Sequence, residues 1–265
     1  MEIIAKVSRG SKMDQIYLPK HRFGLNAGSY VLVKELDKIK EKQEKLFFYN
    51  IKKIEKVKII IIKEIINVLN KYNFDNVIIT GSFVDEGFNF NDIDIILIKD
   101  ENININEVKD ELRENFGINS HLILIDNKSL LKGIATDPLF QTMLSKYVSR
   151  KRSIYNVKPE LKHKLLDLHL LKSNLLIKHF DVLNLNEKLD LLRNLISINL
   201  FITKKQIISK DEVYSKIEEL FGDNIIEDLR SNLVDKKKFI KKYKQLYDKT
   251  FKKILEGVRN ESKQK

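Results

Sequence analysis

The sequence contains no cysteine, which excludes disulfide bonds and any metal site built from thiolates. It also lacks a long hydrophobic run: the longest aliphatic string, the isoleucines at 59–62, is bounded by lysines. About eighteen apolar residues are needed to cross a bilayer, so no membrane span is predicted. The amino-terminal sequence, MEIIAKVSRG, lacks the hydrophobic segment of a secretory signal peptide. We therefore expect a protein of the cytoplasm without a membrane partner.

Acidic residues are too few to balance the basic ones. The formal net charge is +12, and residues 151–265 alone hold 26 Lys and Arg against 16 Asp and Glu. A basic excess of this size suits polyanionic partners, such as DNA, RNA or the triphosphate of a nucleotide. The alternative is a lysine-rich surface that is simply solvated.

Residues 1–36 have the pattern of a small β module. Three strand-like runs, Ile3–Val7, Ile16–Leu18 and Tyr30–Lys34, are separated by turn residues. Such a segment buries too little surface to be stable alone, so it needs a partner. The run KVSRGSKMDQIYLPKHRFGLNAGSYVLVKEL resembles the AbrB-like swapped-hairpin module. The resemblance implies an intertwined homodimer and, often in that family, DNA binding; the alternative is a hairpin packed on the next domain.

Residues 37–155 alternate between helical and strand patterns. Periodic apolar residues from Leu36 to about Tyr72 predict a helix. The apolar run FDNVIITGS predicts a buried strand, and two more strands follow at Asp92–Ile98 and in HLILI. Two further helices are predicted, one over INEVKDELRENFG and one that begins after Asp137 with Pro138 in its first turn. The alternation predicts an α/β domain.

Residues 156–265 show helical patterns throughout. Apolar stripes predict core faces, and they comprise Leu161, Leu165, Leu168, Leu171 and Leu175, then Leu189, Leu192, Ile196 and Leu200. The last helix carries aromatic residues on one side, which we assign to the core rather than to an RNA-stacking surface. The predicted fold is therefore an α+β or α/β multi-domain protein: a β module, a mixed sheet with helices, and a basic helical domain.

Chemistry is concentrated between Val77 and Ile98, in VIITGSFVDEGFNFNDIDIILI. Side chains alternate along a strand, so Asp92 and Asp94 share a face while the isoleucines between and after them point into the core. Two neighbouring carboxylates repel each other and are costly to desolvate. A divalent cation bound between them would offset both costs, so it would explain why two acids occur there. Gly81 permits a close approach to the backbone, and Ser82 offers a hydroxyl and an N–H to a phosphate.

This arrangement resembles the signature of the DNA polymerase beta-like nucleotidyltransferase superfamily over roughly residues 50–130. The resemblance implies transfer of a nucleoside monophosphate from an NTP to an acceptor, with Mg²⁺ or Mn²⁺. It also implies that Gly81 and Ser82 hold the triphosphate and that Asp92 and Asp94 bind the metal ions. The third carboxylate of the family falls on His121, which we expect to act as a substitute base. The alternatives are a relic of lost catalysis or a histidine satisfied by its neighbours. Asp126, at the end of the same strand, is the other candidate.

The loop after Ser82 also differs from the family pattern: it carries Asp85 and Glu86, where a basic residue is common in the family. These acids would repel a triphosphate unless they face away. Two functions therefore stay open: an active nucleotidyltransferase, or a catalytically degenerate regulator of the same fold that binds nucleic acid or nucleotide. A third interpretation makes the loop a polar hairpin whose aspartates cap turns.

Overall fold

The computed structural model describes residues 7–8, 10–13, 15–16 and 45–263, except 89, 102 and 118. The chain divides into two compact units, Met1–Lys42 and Gln43–Lys265. In the first unit, β1 (Val7–Ser8) pairs antiparallel with β2 (Gln15–Ile16). The rest of the predicted AbrB-like module, including the strand predicted over residues 30–34, lies outside the described residues. The module, its DNA binding and its homodimer stay predictions.

The second unit contains a five-stranded mixed sheet. Its strands, in the order in which they lie side by side, are β3 (Phe47–Tyr49), β7 (Tyr147–Ser149), β4 (Asn76–Thr80), β5 (Asp92–Ile98) and β6 (Asn119–Ile125). Neighbours run antiparallel except β5 and β6, which are parallel. A parallel pair needs a crossover, and α2 (Ile105–Phe116) supplies it. The α+β character with a mixed sheet is thus confirmed.

The two faces of the sheet belong to two separate cores. On one face Ile93, Ile95 and Leu97 pack with residues of α1 (Lys56–Leu69) and α2. On the other face Ile96 and Ile98 pack with residues of α3 (Asn127–Thr136) and α4 (Pro138–Met143). A strand covered on both faces is apolar in almost every position, and this explains the continuous hydrophobic runs of β4 and β5.

Two of the predicted helices are shorter than their patterns suggested. Of the helix predicted from Leu36, residues 36–44 lie outside the described residues; in the described part the helix begins only at Lys56, because residues 47–49 form β3. The helix that begins at Pro138 ends at Met143, and β7 follows it. The two missed strands pair with each other, and Tyr49 stacks on Tyr147 with ring centroids 4.4 Å apart. The predicted cap at Asp137 is confirmed, since its carboxylate accepts a hydrogen bond from the Leu139 N–H.

Residues 163–263 of the described chain form helices and connecting turns. The helices are α5 (His163–His179), α6 (Leu185–Lys204), α7 (Lys210–Phe221), α8 (Ile225–Arg230) and α9 (Lys236–Lys263). The stripe predicted on α6 is buried except for the half-buried Leu189, and Phe239 and Tyr243 of α9 lie in the core as expected. The stripe predicted over Leu161–Leu175 is wrong at three of its five positions, although Leu161 packs against this core. Its members Leu168, Leu171 and Leu175 are 63%, 54% and 45% exposed, while the neighbouring residues Leu166, Leu170 and Leu176 face α6 and α9 and are buried.

The helices pack directly against the sheet region within the second unit. Gln141 of α4 bridges the two parts: its amide donates to the Ile134 carbonyl at 2.7 Å and its carbonyl accepts from the Ile208 N–H at 3.0 Å. The predicted boundary at 155–156 therefore lies inside this unit, between β7 and α5. None of the helices described is long and apolar enough to cross a membrane.

Candidate functional site

The candidate site lies where β4 ends and β5 begins. The two strands are antiparallel, so Thr80, the last residue of β4, pairs with Asp94, near the start of β5. The buried Thr80 hydroxyl lies within hydrogen-bond distance of the carbonyls of Met143 and Lys146. This contact attaches the end of β4 to the segment between α4 and β7. The position of the following turn, Gly81–Val84, is therefore set by long-range contacts.

Position 81 requires glycine for two reasons, its backbone conformation and its contact with Asp94. Its φ is +82°, a conformation that costs an L-residue about 1–2 kcal/mol. A Cβ atom at this position would lie 2.0 Å from Oδ2 of Asp94. The carboxylate of Asp94 thus occupies the space that any side chain at Gly81 would need. Ser82, the next residue, is exposed.

Asp92 and Asp94 occupy the first two positions of one face of β5. The intervening Ile93 is 2% exposed and faces the opposite core, as the alternation predicts. Further along the aspartate face, Ile96 and Ile98 are buried in the second core. The two acids therefore lie at the end of β5 where the second core no longer covers this face of the strand. Asp92 is exposed, and the Asp94 side chain is 26% exposed.

His121 lies beside Asp94 on the neighbouring strand. In the parallel register of β5 and β6, His121 is the direct partner of Asp94, and Asn119 is the partner of Asp92. Nδ1 of His121 is 3.1 Å from Oδ1 of Asp94. One carboxylate oxygen of Asp94 thus faces the Gly81 backbone and the other faces the imidazole. The structure brings Gly81, Asp94 and His121 into one cluster, and their chemical roles stay predictions.

Asp126, the alternative third acid, is held elsewhere. It is the N-cap of α3, and its carboxylate accepts hydrogen bonds from the N–H and the hydroxyl of Ser129, each at 2.7 Å. These bonds lower the pKa of Asp126. It follows Ile125, which pairs with Ile98 at the far end of β5. At about 3.3 Å per residue, five residues separate it from His121 by about 16 Å.

The acidic loop after Ser82 is neutralised by lysines. Asp85 forms ion pairs with Lys210 of α7 at 2.5 Å and with Lys146 at 3.9 Å. Glu86 pairs with Lys53 at the surface. Asp85 therefore connects this loop to the helical part of the unit, and its charge is compensated within the protein. Sequence reasoning missed both lysines of the Asp85 pair, because each comes from a distant segment.

Lys58 of α1 is a buried cation that holds the same loop. Its side chain is fully buried, and its ammonium group donates to the Asp85 carbonyl at 2.5 Å and lies 3.0 Å from Oε2 of Glu55. Three aromatic rings face it, with centroids 5.5–5.7 Å away, and they belong to Phe83, Phe88 and Phe90. The signal in the sequence was three phenylalanines in a polar loop opposite one lysine in an apolar helix.

Glu55 completes this arrangement. Its Oε1 accepts a hydrogen bond from the Gly87 N–H at 2.6 Å. The pKa of Glu55 is lowered to about 2, first by this backbone donor and then by Lys58. Glu55 and Lys58 together attach the loop that precedes Asp92 to α1, so the aspartates follow a loop with a defined path.

The described residues contain no group of three or more His, Asp or Glu side chains arranged to hold a metal ion. A divalent cation at this site would therefore rely on Asp92 and Asp94 together with oxygen atoms from a ligand. Mg²⁺ commonly binds in this way, through one or two carboxylates, water and substrate phosphates. The donor set thus fits a cation that arrives with a phosphorylated ligand, and it does not form a complete cage for one alone.

Comparison with known proteins does not assign a family to this chain. No protein-family model, curated protein or solved structure matches it. The likeness to nucleotidyltransferases therefore depends on Gly81, Ser82, Asp92 and Asp94 and on the strands that carry them.

Proposed function

We propose that this protein is an Mg²⁺- or Mn²⁺-dependent nucleotidyltransferase, which moves a nucleoside monophosphate from an NTP to a hydroxyl or another acceptor group. The observation that carries the proposal is the fit between Asp94 and Gly81. The carboxylate lies in the space left by the missing side chain, directly before the exposed Ser82. A purely structural hairpin has no need to place an acid against a left-handed glycine at the uncovered end of a core strand.

Asp92 and Asp94 would hold the cation, and Gly81 and Ser82 would receive the phosphates. The cation would supply charge neutralisation at the triphosphate and at the leaving pyrophosphate. Asp85 and Glu86 do not oppose phosphate binding in this proposal, because Lys146, Lys210 and Lys53 neutralise them. The chain's own contribution is to orient the triphosphate at the end of the sheet.

His121 would act as the general base. When Nδ1 carries its proton, it donates to Oδ1 of Asp94, and Nε2 is left with a free lone pair. The acceptor oxygen attacks the α-phosphorus, its proton passes to Nε2, and the bond to pyrophosphate breaks. Asp94 stabilises the resulting imidazolium, since the carboxylate is already in contact with Nδ1.

A degenerate regulator of the same fold is the second candidate. The observation that favours it is the same His121–Asp94 contact, because an imidazole replaces the third carboxylate and occupies one oxygen of Asp94. Such a protein would bind nucleotide with a divalent cation and transfer nothing. The two candidates therefore differ in turnover and agree on binding.

Incubation with each α-labelled NTP, Mg²⁺ or Mn²⁺, and RNA, protein and small-molecule acceptors tests the proposal. We expect label transfer and pyrophosphate release in the wild type, and neither in Asp92→Asn or Asp94→Asn. The matched control is Asp100→Asn, an exposed acid just beyond the other end of β5, which should leave transfer unchanged. Cation-dependent nucleotide binding without transfer supports the regulator. Absence of both binding and transfer refutes both candidates.

A further inference from the structure

A basic groove lies at the opposite end of the sheet from the candidate site. It is shallow and open to solvent, has a volume of about 800 Å³ and is lined by segments next to β3, β4 and β7. Asp75 in its wall directly precedes β4, whereas Gly81 directly follows that strand. The five residues of β4 between them span about 16 Å. The groove is therefore separate from the Asp92–Asp94 cluster.

The groove has a strong excess of positive charge. Lys45, Arg150, Lys151 and Arg152 line it, and Asp75 is its one acidic lining residue. Within the described part of the chain, none of the four cations forms an ion pair with a carboxylate. Lysines elsewhere in the unit, such as Lys146 and Lys210, do have acidic partners. The groove thus holds cations whose charge the described residues do not compensate.

Arg150 forms a fixed part of the groove. Its Nη1 donates to Oδ1 of Asn70 at 2.9 Å, and its Nη2 donates to the Phe74 carbonyl. Its Nε is buried and has no hydrogen-bond partner. The Arg150 backbone N–H continues the sheet by donating to the Val77 carbonyl at 3.0 Å. This residue connects α1, β4 and β7, and its guanidinium remains incompletely satisfied.

The backbone that carries Lys151 and Arg152 is also held in place. The Lys151 N–H donates to Oδ1 of Asn76 at 2.9 Å, and the Ser153 N–H donates to the Tyr49 hydroxyl at 2.7 Å. The side chains of Lys151 and Arg152 are exposed. A charge run on a surface is usually just solvated, but the backbone of this run is fixed on both sides and borders a shallow, open groove. Such preorganisation lowers the entropic cost of binding.

An aromatic ring accompanies the cations. Phe47 of β3 is half-buried in the wall, and the Lys45 ammonium lies 5.8 Å from its ring centroid. A positive groove with an accessible aromatic side chain is the combination that binds single-stranded nucleic acids, through phosphate contacts and base stacking. An acidic peptide would use the cations and leave the ring without a role.

We infer that this groove binds single-stranded nucleic acid, with Lys45, Lys151 and Arg152 contacting phosphates and Phe47 stacking on a base. The inference does not depend on the proposed transferase activity. Three phosphate contacts to a single strand predict that the logarithm of the affinity falls with the logarithm of salt with a slope of about −2. Binding through phosphates also predicts little dependence on base sequence.

Fluorescence anisotropy with the full chain and labelled 15-nucleotide oligo(U) and oligo(dT) measures this binding. The variant Lys45→Gln/Lys151→Gln/Arg152→Gln should bind at least tenfold more weakly than the wild type. The matched control, Lys237→Gln/Lys241→Gln/Lys244→Gln, removes the same charge from exposed positions of α9 and should change affinity less than twofold. Phe47→Leu should weaken binding about fivefold or more, in line with the loss of one stacked base.

Photocrosslinking of wild-type protein to 4-thiouridine RNA provides a readout that needs no variant. Crosslinks at 45–47 and 150–152 support the inference, and crosslinks confined to α9 overturn it. Equal losses in the groove and control variants, or equally strong competition by polyglutamate, would show a diffuse polyanion effect and also overturn it. Asp94→Asn should bind the strand normally, so failure of the transferase proposal is distinguishable from failure of this one. A preference for oligo(U) or oligo(dT) identifies the natural strand as RNA or DNA.

Discussion

Replacing Gly81 with alanine tests the geometry on which the candidate site rests. Alanine at φ +82° costs about 1–2 kcal/mol, because the left-handed conformation brings Cβ close to the carbonyl oxygen. Its Cβ would also lie 2.0 Å from Oδ2 of Asp94, so the carboxylate must move away from the turn. Forced displacements in a packed site cost about 1–3 kcal/mol. We therefore expect Gly81→Ala to lower the free energy of unfolding by about 2–5 kcal/mol.

Gly117 supplies the matched control. It ends α2 with φ +64°, and a Cβ there meets no atom within 4 Å. Gly117→Ala therefore measures the cost of the left-handed backbone alone, about 1 kcal/mol. The difference between the two variants in urea unfolding isolates the contact with Asp94.

A double-mutant cycle completes the test. In the Asp94→Ala background the carboxylate is absent, so Gly81→Ala should cost little more than Gly117→Ala does. The coupling energy between the two positions should be about 1–3 kcal/mol, within the range of residues in direct contact. Equal losses from Gly81→Ala and Gly117→Ala in the wild-type background, or a coupling energy near zero, would refute the reasoning.

Four other outcomes are expected. In thermal melts, Mg²⁺–NTP should raise the melting temperature of the wild type but not of Asp92→Asn or Asp94→Asn. Without ligand, the stability of these variants should hold or rise, because the repulsion between the two carboxylates is relieved. If the variants are instead destabilised by about 1 kcal/mol and the wild type gains nothing from Mg²⁺–NTP, the aspartates are turn caps. In urea unfolding, Lys58→Met should cost about 1–3 kcal/mol, because the Asp85 carbonyl and Glu55 lose a buried donor. The control Lys56→Met, at an exposed position, should cost less than about 0.5 kcal/mol. Equal costs would show that the buried ammonium group is unimportant. The pKa of Glu55 is lowered to about 2 in the folded protein, so its contribution to the free energy of unfolding is present above about pH 4.5 and is lost as the pH falls towards 2. Glu55→Gln should therefore reduce the dependence of stability on pH in that window. An unchanged pH profile would contradict the Gly87 and Lys58 contacts. A chain that begins at Leu36 should be monomeric in light scattering if residues 1–36 form the dimer, and an unchanged oligomer would exclude that role.

Local patterns in the sequence determined the features that depend on neighbouring residues. The alternation from Asp92 to Ile98 predicted β5 with its two acids on one face, and this is confirmed. The glycine that ends INEVKDELRENFG and the Asp137–Pro138 pair predicted helix ends that the structure contains. Each signal is short-range, because a cap or a strand period involves residues at most a few positions apart.

Features that depend on distant segments required the tertiary structure. The strands β3 and β7 are three residues each and depend on long-range pairing: β3 pairs with β7 across about a hundred residues, and β7 also pairs with β4. The buried side of α5 was misassigned because leucines occur on both its sides, and only the positions of α6 and α9 decide which are covered.

The same reason applies to the candidate site. The sequence placed Gly81, Ser82, Asp92 and Asp94 near one another, because a single loop joins their two strands. It could not show that Asp94 fills the space at Gly81, that Lys210 neutralises Asp85, or that Lys58 holds the loop. Nor could it show that Lys45 and Arg152, far apart in the chain, line one groove. Local patterning decides which residues form strands and caps, and long-range packing decides which charges meet.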